Sequence, residues 1–286
     1  MDTEKRDEIS ALAVKLGAEG RWNEALKCWT DYFNEYDGNA NAYYHLGVAL
    51  YGASHRSHAF IALEEAIKRS PEHAMAHARI GFLYVESGNF GQAICHYVLA
   101  LRHKPGLHPA KHGLIRAYVQ KGRETIWRGN VEEAIALYQD ALKVDSGHAE
   151  VHYRLGEAHA RLGEHAQAID AWKCAVERDD GNAELHYNMG VACDSLGKLN
   201  EAVQSYARAV SLDPRNVWAI NNLGCVLAKL GRSDEALAVF QTAFALAPAD
   251  AVLCFNLGQL HLNAGRVDAA VDKLRHSIKN RLAERR

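Results

Sequence analysis

Three asparagines, Asn188, Asn222 and Asn256, recur 34 residues apart in the strings HYNMG, INNLG and CFNLG. A carboxamide carries N–H donors and an acceptor oxygen on one plane, so it can pair with both the N–H and the C=O of an extended peptide bond. A row of such amides would hold a chain by its backbone and leave sequence preference to side-chain pockets. The residues just before this column are Tyr153, Tyr187, Asn221 and Phe255, and Trp218 stands three residues before Asn221. Aromatic rings offer apolar contact at low entropic cost, which suits pockets beside a backbone-reading row. Continued towards the N-terminus, the column reads Arg154, Gly113, Arg79, His45 and Ala11. Arg154 and Arg79 could receive an acidic side chain or a chain terminus, unless carboxylates such as Glu150 or Glu157 take up Arg154 locally. The candidate peptide-binding residues are centred on residues 149–284.

Other chemistry is weaker. His108 with His112, and His148 with His152, have the i, i+4 spacing that lets two imidazoles share a zinc or copper ion. Neither pair has a Cys or carboxylate fixed beside it, so structural use is expected and no metal is assigned. A glycine-rich phosphate loop, an H-E-x-x-H pair and a nucleophile elbow are all missing from the sequence. No cofactor and no enzymatic reaction are expected of these residues.

The elements that must position the amides follow from the period. Taking Ala183 as position 1, a Gly at position 8 recurs as Gly47, Gly81, Gly156, Gly190, Gly224 and Gly258. An Ala at position 20 recurs as Ala25, Ala59, Ala93, Ala134, Ala168, Ala202, Ala236 and Ala270, every step being 34 except the 41 between Ala93 and Ala134. Two apolar stripes at helical spacing flank a Gly near position 15, which predicts helix A, a tight turn and helix B. Small residues at 8, 20 and 27 let the helices approach, and bulky ones at 7, 11 and 24 fill the space between pairs. Pro71, Pro105, Pro214 and Pro248 at position 32 stop helix B. Where Pro is missing, Gly38, Gly147 and Gly181 at position 33 are expected to end it in the left-handed conformation.

This pattern, in eight copies, resembles the tetratricopeptide repeat (TPR). The resemblance implies an all-α fold, a right-handed superhelical solenoid of antiparallel helix pairs, forming a single array over 1–286. Its repeats are expected at 6–39, 40–73, 74–107, 108–148, 149–182, 183–216, 217–250 and 251–284. It also implies that helix A of each repeat lines a concave surface, with positions 2, 5, 6, 9, 12 and 13 facing a ligand. His77, His152 and His186 fall at position 4, where such proteins place a helix-packing residue. The Asn188, Asn222 and Asn256 series resembles the asparagine ladder of the repeat domain of O-linked N-acetylglucosamine transferase. The heat-shock carboxylate clamp is a different use of the same surface and fits poorly. Repeats 1 to 3 supply Ser10, Val14, His45, Met75 and Arg79, of which only the Arg matches, and repeats 6 to 8 match only at Asn222.

The fourth repeat carries the extra seven residues, RETIWRG. Seven is close to two helical turns, so the insertion can lengthen helix A without turning its buried face away. One helix is expected over 109–128, with Leu114 at position 7, Gly122 as the turn glycine at 15, and Ile126 and Trp127 at a projecting tip as a docking knob. After helix B of repeat 8, Val271, Leu274 and Ile278 are expected to form an uncovered apolar face. Lys273, Arg275, Lys279, Arg281, Arg285 and Arg286 suit a helix C-terminus.

The totals agree with a protein-binding scaffold. Lys plus Arg number 33 against 35 Asp plus Glu, for a formal charge of −2, which gives no electrostatic case for nucleic acid. No apolar run approaches the ~20 residues that span a bilayer, so no membrane insertion is expected. The charged start MDTEKRDEIS is unlike a secretory signal, and a cytoplasmic protein is expected. Six cysteines (Cys28, Cys95, Cys174, Cys193, Cys225, Cys254) lack C-x-x-C spacing and read mostly as buried small hydrophobes, with Cys225 towards the groove. The expected partner is a protein or peptide. The alternatives are a homo-oligomer assembled through terminal repeats, or the repeat portion of a larger glycosyltransferase-like enzyme.

Overall fold

The computed structural model describes the backbone of residues 2–284 and the side chains of residues 3–279. Among these it holds sixteen α-helices and no strand. Contacts group them into two compact units, one ending at Ser146 and one beginning at Gly147. The first unit pairs α1 (Asp2–Ala18) with α2 (Trp22–Glu35) and α3 (Ala40–Gly52) with α4 (Arg56–Arg69). It continues with α5 (Ala74–Glu86) and α6 (Phe90–His103), then α7 (His108–Trp127) and α8 (Val131–Val144). The second pairs α9 (Ala149–Arg161) with α10 (His165–Val176) and α11 (Ala183–Ser195) with α12 (Leu199–Leu212). It continues with α13 (Val217–Lys229) and α14 (Ser233–Leu246), then α15 (Ala251–Asn263) and α16 (Val267–Glu284).

The pairs turn where φ is positive: at position 15 on Gly20, Gly88, Gly163, Gly197, Gly231 and Gly265, and seven residues later in the fourth repeat, on Gly129. That conformation suits glycine because it has no Cβ to crowd the backbone. Ser54 holds the same turn at φ 67, a strained place for a side chain. Position 34 starts the next helix A: the side chains of Asn39, Asn182, Asn216 and Asp250 accept backbone N–H groups from Ala42, Leu185, Ala219 and Leu253. Before Pro71, Pro105, Pro214 and Pro248 the chain leaves the helical region, with φ from −129 to −141 at Ser70, Lys104, Asp213 and Ala247. Steric conflict with the proline ring favours this exit. Gly38, Gly147 and Gly181 do not adopt the left-handed conformation expected of them. Gly38 instead makes room for a ring, since a Cβ there would stand 2.2 Å from Phe33.

The core repeats one contact. The glycine at position 8 receives the large side chain at position 24 of its own helix B: Gly156 meets Trp172, Gly190 meets Tyr206 and Gly224 meets Phe240. A Cβ on Gly190 would come within 2.6 Å of the Tyr206 ring, so the helices are closer than any larger residue permits. In the second unit these pairs belong to one apolar cluster that runs from Tyr153 to Leu260.

Helix α7 is 20 residues long, against 13 for α5 and α9, and covers the expected segment. Its pairing with α8 differs from expectation. Gly122 sits in mid-helix against the ring of Tyr138, the position 8 role, and Gly129 makes the turn. Gly113, nearer the start, packs against Tyr97 of α6. The helix thus keeps one register towards α6 and another, seven residues on, towards α8. Both use the same face because seven residues are nearly two turns.

On α16, Leu274 packs on Gly258 while Val271 and Ile278 are exposed. Lys273 places its Nζ 4.1 Å from the centre of the Phe244 ring. Arg285, Arg286 and the side chain of Arg281 lie outside the described residues. Two of the six cysteines, Cys193 and Cys254, are buried, whereas Cys95 and Cys174 on helices B are exposed, contrary to the expectation of mostly buried thiols.

Candidate functional site

In the second unit the amide column forms a connected chain. Asn256 Nδ2 donates to Asn221 Oδ1 at 3.0 Å, Asn221 Nδ2 to Asn222 Oδ1 at 3.4 Å, and Asn222 Nδ2 to the Tyr187 hydroxyl at 3.4 Å. These bonds tie α15, α13 and α11 together. A second N–H of Asn256 reaches Cys225 Sγ at 3.4 Å. Counting donors and acceptors, Asn256 keeps only its oxygen for a ligand, and Asn222, whose amide bonds Tyr187 and also reaches the Tyr206 hydroxyl, keeps one lone pair. Asn188 makes no hydrogen bond among the described residues. It is half-buried beside a cavity of about 280 Å³ lined by Glu157, Arg161, His165, Trp172 and Val191. The three rungs are therefore unequal: Asn256 is held by a bond of ordinary length, and Asn222 by two long bonds that a better-placed partner can replace.

Several candidates sit elsewhere than expected. Asn221 is 7% exposed and Tyr153 8%, so position 5 works partly as support. The Tyr153 carbonyl accepts the Trp172 indole N–H at 3.2 Å, fixing α9 to α10. Burial, then the Glu157 and Glu184 carboxylates, raise the Tyr153 phenol above its ordinary pKa. Arg154 is not an open receptor for an acidic group: its Nη1 bonds Glu157 at 2.9 Å, its Nε lies 3.8 Å from Glu150, and its guanidinium stands over the Tyr153 ring. Cys225 is half-buried, and burial raises its thiol pKa, so it is poorly reactive. Trp218 at 61% exposed, Val252 at 41% and Phe255 at 40% present apolar surface beside the amides.

The first unit carries a different set. Arg79 lies 5.8 Å from the centre of the Tyr51 ring and 5.9 Å from that of Phe82. At Gly113 the column has no side chain, and Tyr97 fills the space; burial pushes the Tyr97 phenol up to about 12. His45 stacks on Trp29, and both line a cavity of about 470 Å³ with Ser10, Val14 and Asn41. Neither cavity nor stack was expected from the sequence; the signal was Trp29 at position 24 opposite the small Ala11. His77 donates from Nε2 to the Pro71 carbonyl at 3.0 Å, which leaves its Nδ1 to accept the Nδ1 proton of His96 at 3.1 Å. His186 of the second unit bonds Asp180 at 2.8 Å. Histidines at position 4 thus serve packing and local bonds. At the end of α7 Trp127 is 87% exposed and Ile126 is half-buried.

Glycine-turned helix pairs with a 34-residue period and a small residue facing a large one define the tetratricopeptide-repeat class. Residues 106–285, more than half of the chain, match the family described as the cilia and flagella-associated protein 70 C-terminal domain, and the protein belongs to that family. A stretch of 147 residues is 27% identical to the probable UDP-N-acetylglucosamine–peptide N-acetylglucosaminyltransferase SPINDLY of Hordeum vulgare. It covers 51% of this chain but 16% of that protein. Among solved structures the fold is similar to that of MamA (24% identity, TM-score 0.56), covering 57% of this chain and 95% of the other. It is also similar to YrrB, described as a TPR protein with an unusual peptide-binding site (22% identity, TM-score 0.51). There the match covers 72% of this chain and 98% of the other. Among the described residues no helix is long and apolar enough to cross a membrane.

Proposed function

We propose that the protein is a non-catalytic scaffold that binds an extended segment of a partner protein on the A-helix face of its second unit. The observation that carries this reading is the amide series of α11, α13 and α15 lying beside exposed Trp218, Val252 and Phe255. Unequal rungs suit a backbone: Asn188 offers a full carboxamide, and Asn222 and Asn256 offer acceptors. An extended segment fits because its main-chain groups are unpaired, whereas those of a helix are already bonded. That YrrB is described as having a peptide-binding site, and that the plant enzyme shares the repeat stretch, support this use of the surface.

Changing Asn188, Asn222 and Asn256 together to Ala should weaken binding of a segment isolated from native extract by about tenfold or more while leaving the melting curve nearly unchanged. Unchanged affinity would reject the amide mechanism. A second reading rests on Trp127, whose exposure at the end of the longest A helix suits a docking knob between copies or towards another protein. Sedimentation of the wild type beside Trp127→Ala tests the self-associating form: a wild type that is monomeric at every concentration rules it out.

A further inference from the structure

The A-helix face of the second unit is polarised. At its α9–α11 end a cavity of about 340 Å³ is lined by four carboxylates, Glu150, Glu157, Asp179 and Glu184, against one guanidinium, Arg154. Arg154 bonds Glu157 and lies 3.8 Å from Glu150, so a single guanidinium is shared among four carboxylates and negative charge is in excess. The Tyr153 phenol lies among these groups; burial raises its pKa first, and the Glu157 and Glu184 carboxylates raise it further. Two repeats further on, the face changes character. Position 2 of helix A reads Glu150, Glu184, Trp218 and Val252 in successive repeats, and the last two are exposed apolar side chains. One register therefore runs from acidic to apolar along the same stack.

We infer that this face selects an extended segment with a Lys or Arg over Glu150 and Glu184 and an aromatic or branched aliphatic residue over Trp218 and Val252. The inference rests on the peptide-binding reading above and adds its sequence preference. Packed helices lie about 8–10 Å apart, and an extended chain advances about 3.3 Å per residue. Each repeat thus spans roughly three ligand residues, and the basic and apolar side chains stand about six apart. An acidic tail is disfavoured, because its charge would meet four carboxylates balanced by one guanidinium that is already paired. Attraction between exposed charges also makes binding weaken as salt is raised.

The test is selection of a displayed random dodecapeptide library on the full chain, with the Asn188/Asn222/Asn256→Ala variant in parallel. Peptides that bind the wild type and lose the variant should carry Lys or Arg about six residues from an aromatic or aliphatic residue. Their affinity should fall about tenfold on Glu150→Gln/Glu184→Gln, and by a similar factor on Trp218→Ala. Both glutamates and Trp218 are exposed, so circular dichroism melts of these variants should overlay the wild type. Amide-dependent peptides without a basic residue, or indifferent to the two glutamines, would overturn the inference and leave the peptide-binding reading standing. If no selected peptide depends on the amides, both fall.

Discussion

The two units build the same helix pairs and give their shared column opposite uses. In the first, Ala11, His45, Arg79 and Gly113 leave space that rings fill: His45 lies on Trp29, Arg79 over Tyr51 and Phe82, and Tyr97 against Gly113. In the second, the column bears amides that bond from helix to helix and keep spare donors and acceptors. The lesson is that glycine-to-aromatic packing sets the scaffold in both units, while one residue per repeat decides whether the A-helix face carries rings and cations or hydrogen-bonding amides.

Moving an amide between units should break this contrast most visibly. Gly113→Asn would drive a side chain into the Tyr97 ring, where a Cβ alone would stand 2.2 Å from Cζ. Overpacking of this kind costs roughly 1–3 kcal/mol, so the urea midpoint should drop clearly, whereas Asn222→Ala should cost about 1 kcal/mol, since it keeps helix propensity and loses two hydrogen bonds of 3.4 Å. A Gly113→Asn variant as stable as wild type would mean that the column is interchangeable after all.

The turns offer a smaller contrast. Every described pair of the second unit turns on glycine, but the second pair of the first unit turns on Ser54 at φ 67. Ser54→Gly should raise stability by about 1 kcal/mol by removing left-handed strain. No gain in melting temperature would show that the strain is relieved by the surroundings.

Acid should separate the units by a lesser margin. Burial lowers the pKa of His45, His73, His77 and His96 in the first unit, to about 4 for His96, while in the second it lowers that of His261. A histidine whose folded pKa lies below the unfolded ~6.5 binds more protons when unfolded. Its neutral form is therefore compatible with the fold above pH ~6.5, and stability falls as pH drops from there towards 4. Hydrogen exchange at pH 7 and pH 5 should show α5 and α6 losing more protection than α11 and α12, and His96→Gln should reduce that loss. Equal loss in both pairs would contradict the assignment.

Most of the scaffold was legible because its constraints are steric and periodic: Gly190 must be small because Tyr206 lies against it, and the same holds 34 residues on. The length of α7 was legible for the same reason, but its register was not, because a shift of nearly two turns leaves the same residues facing inward. The left-handed reading of Gly38 failed because extended backbone at Tyr36 already ends helix α2. At the site, the positions of Asn188, Asn222 and Asn256 were legible from spacing alone. Their inequality was not, since the bonds of Asn256 to Asn221 and Cys225 join side chains 35 and 31 residues apart. For Arg154 the sequence left open a receptor role and local pairing with Glu150 or Glu157, and the structure shows the local pairs, a choice made in three dimensions.

The most direct test follows the side-chain amides themselves. Protein labelled with nitrogen-15 asparagine, titrated with a library-selected peptide, should show carboxamide shifts at Asn188, Asn222 and Asn256 while Asn39, Asn41 and Asn89 of the first unit stay in place. Shifts confined to the first unit, with the three rungs unmoved at saturation, would contradict the account.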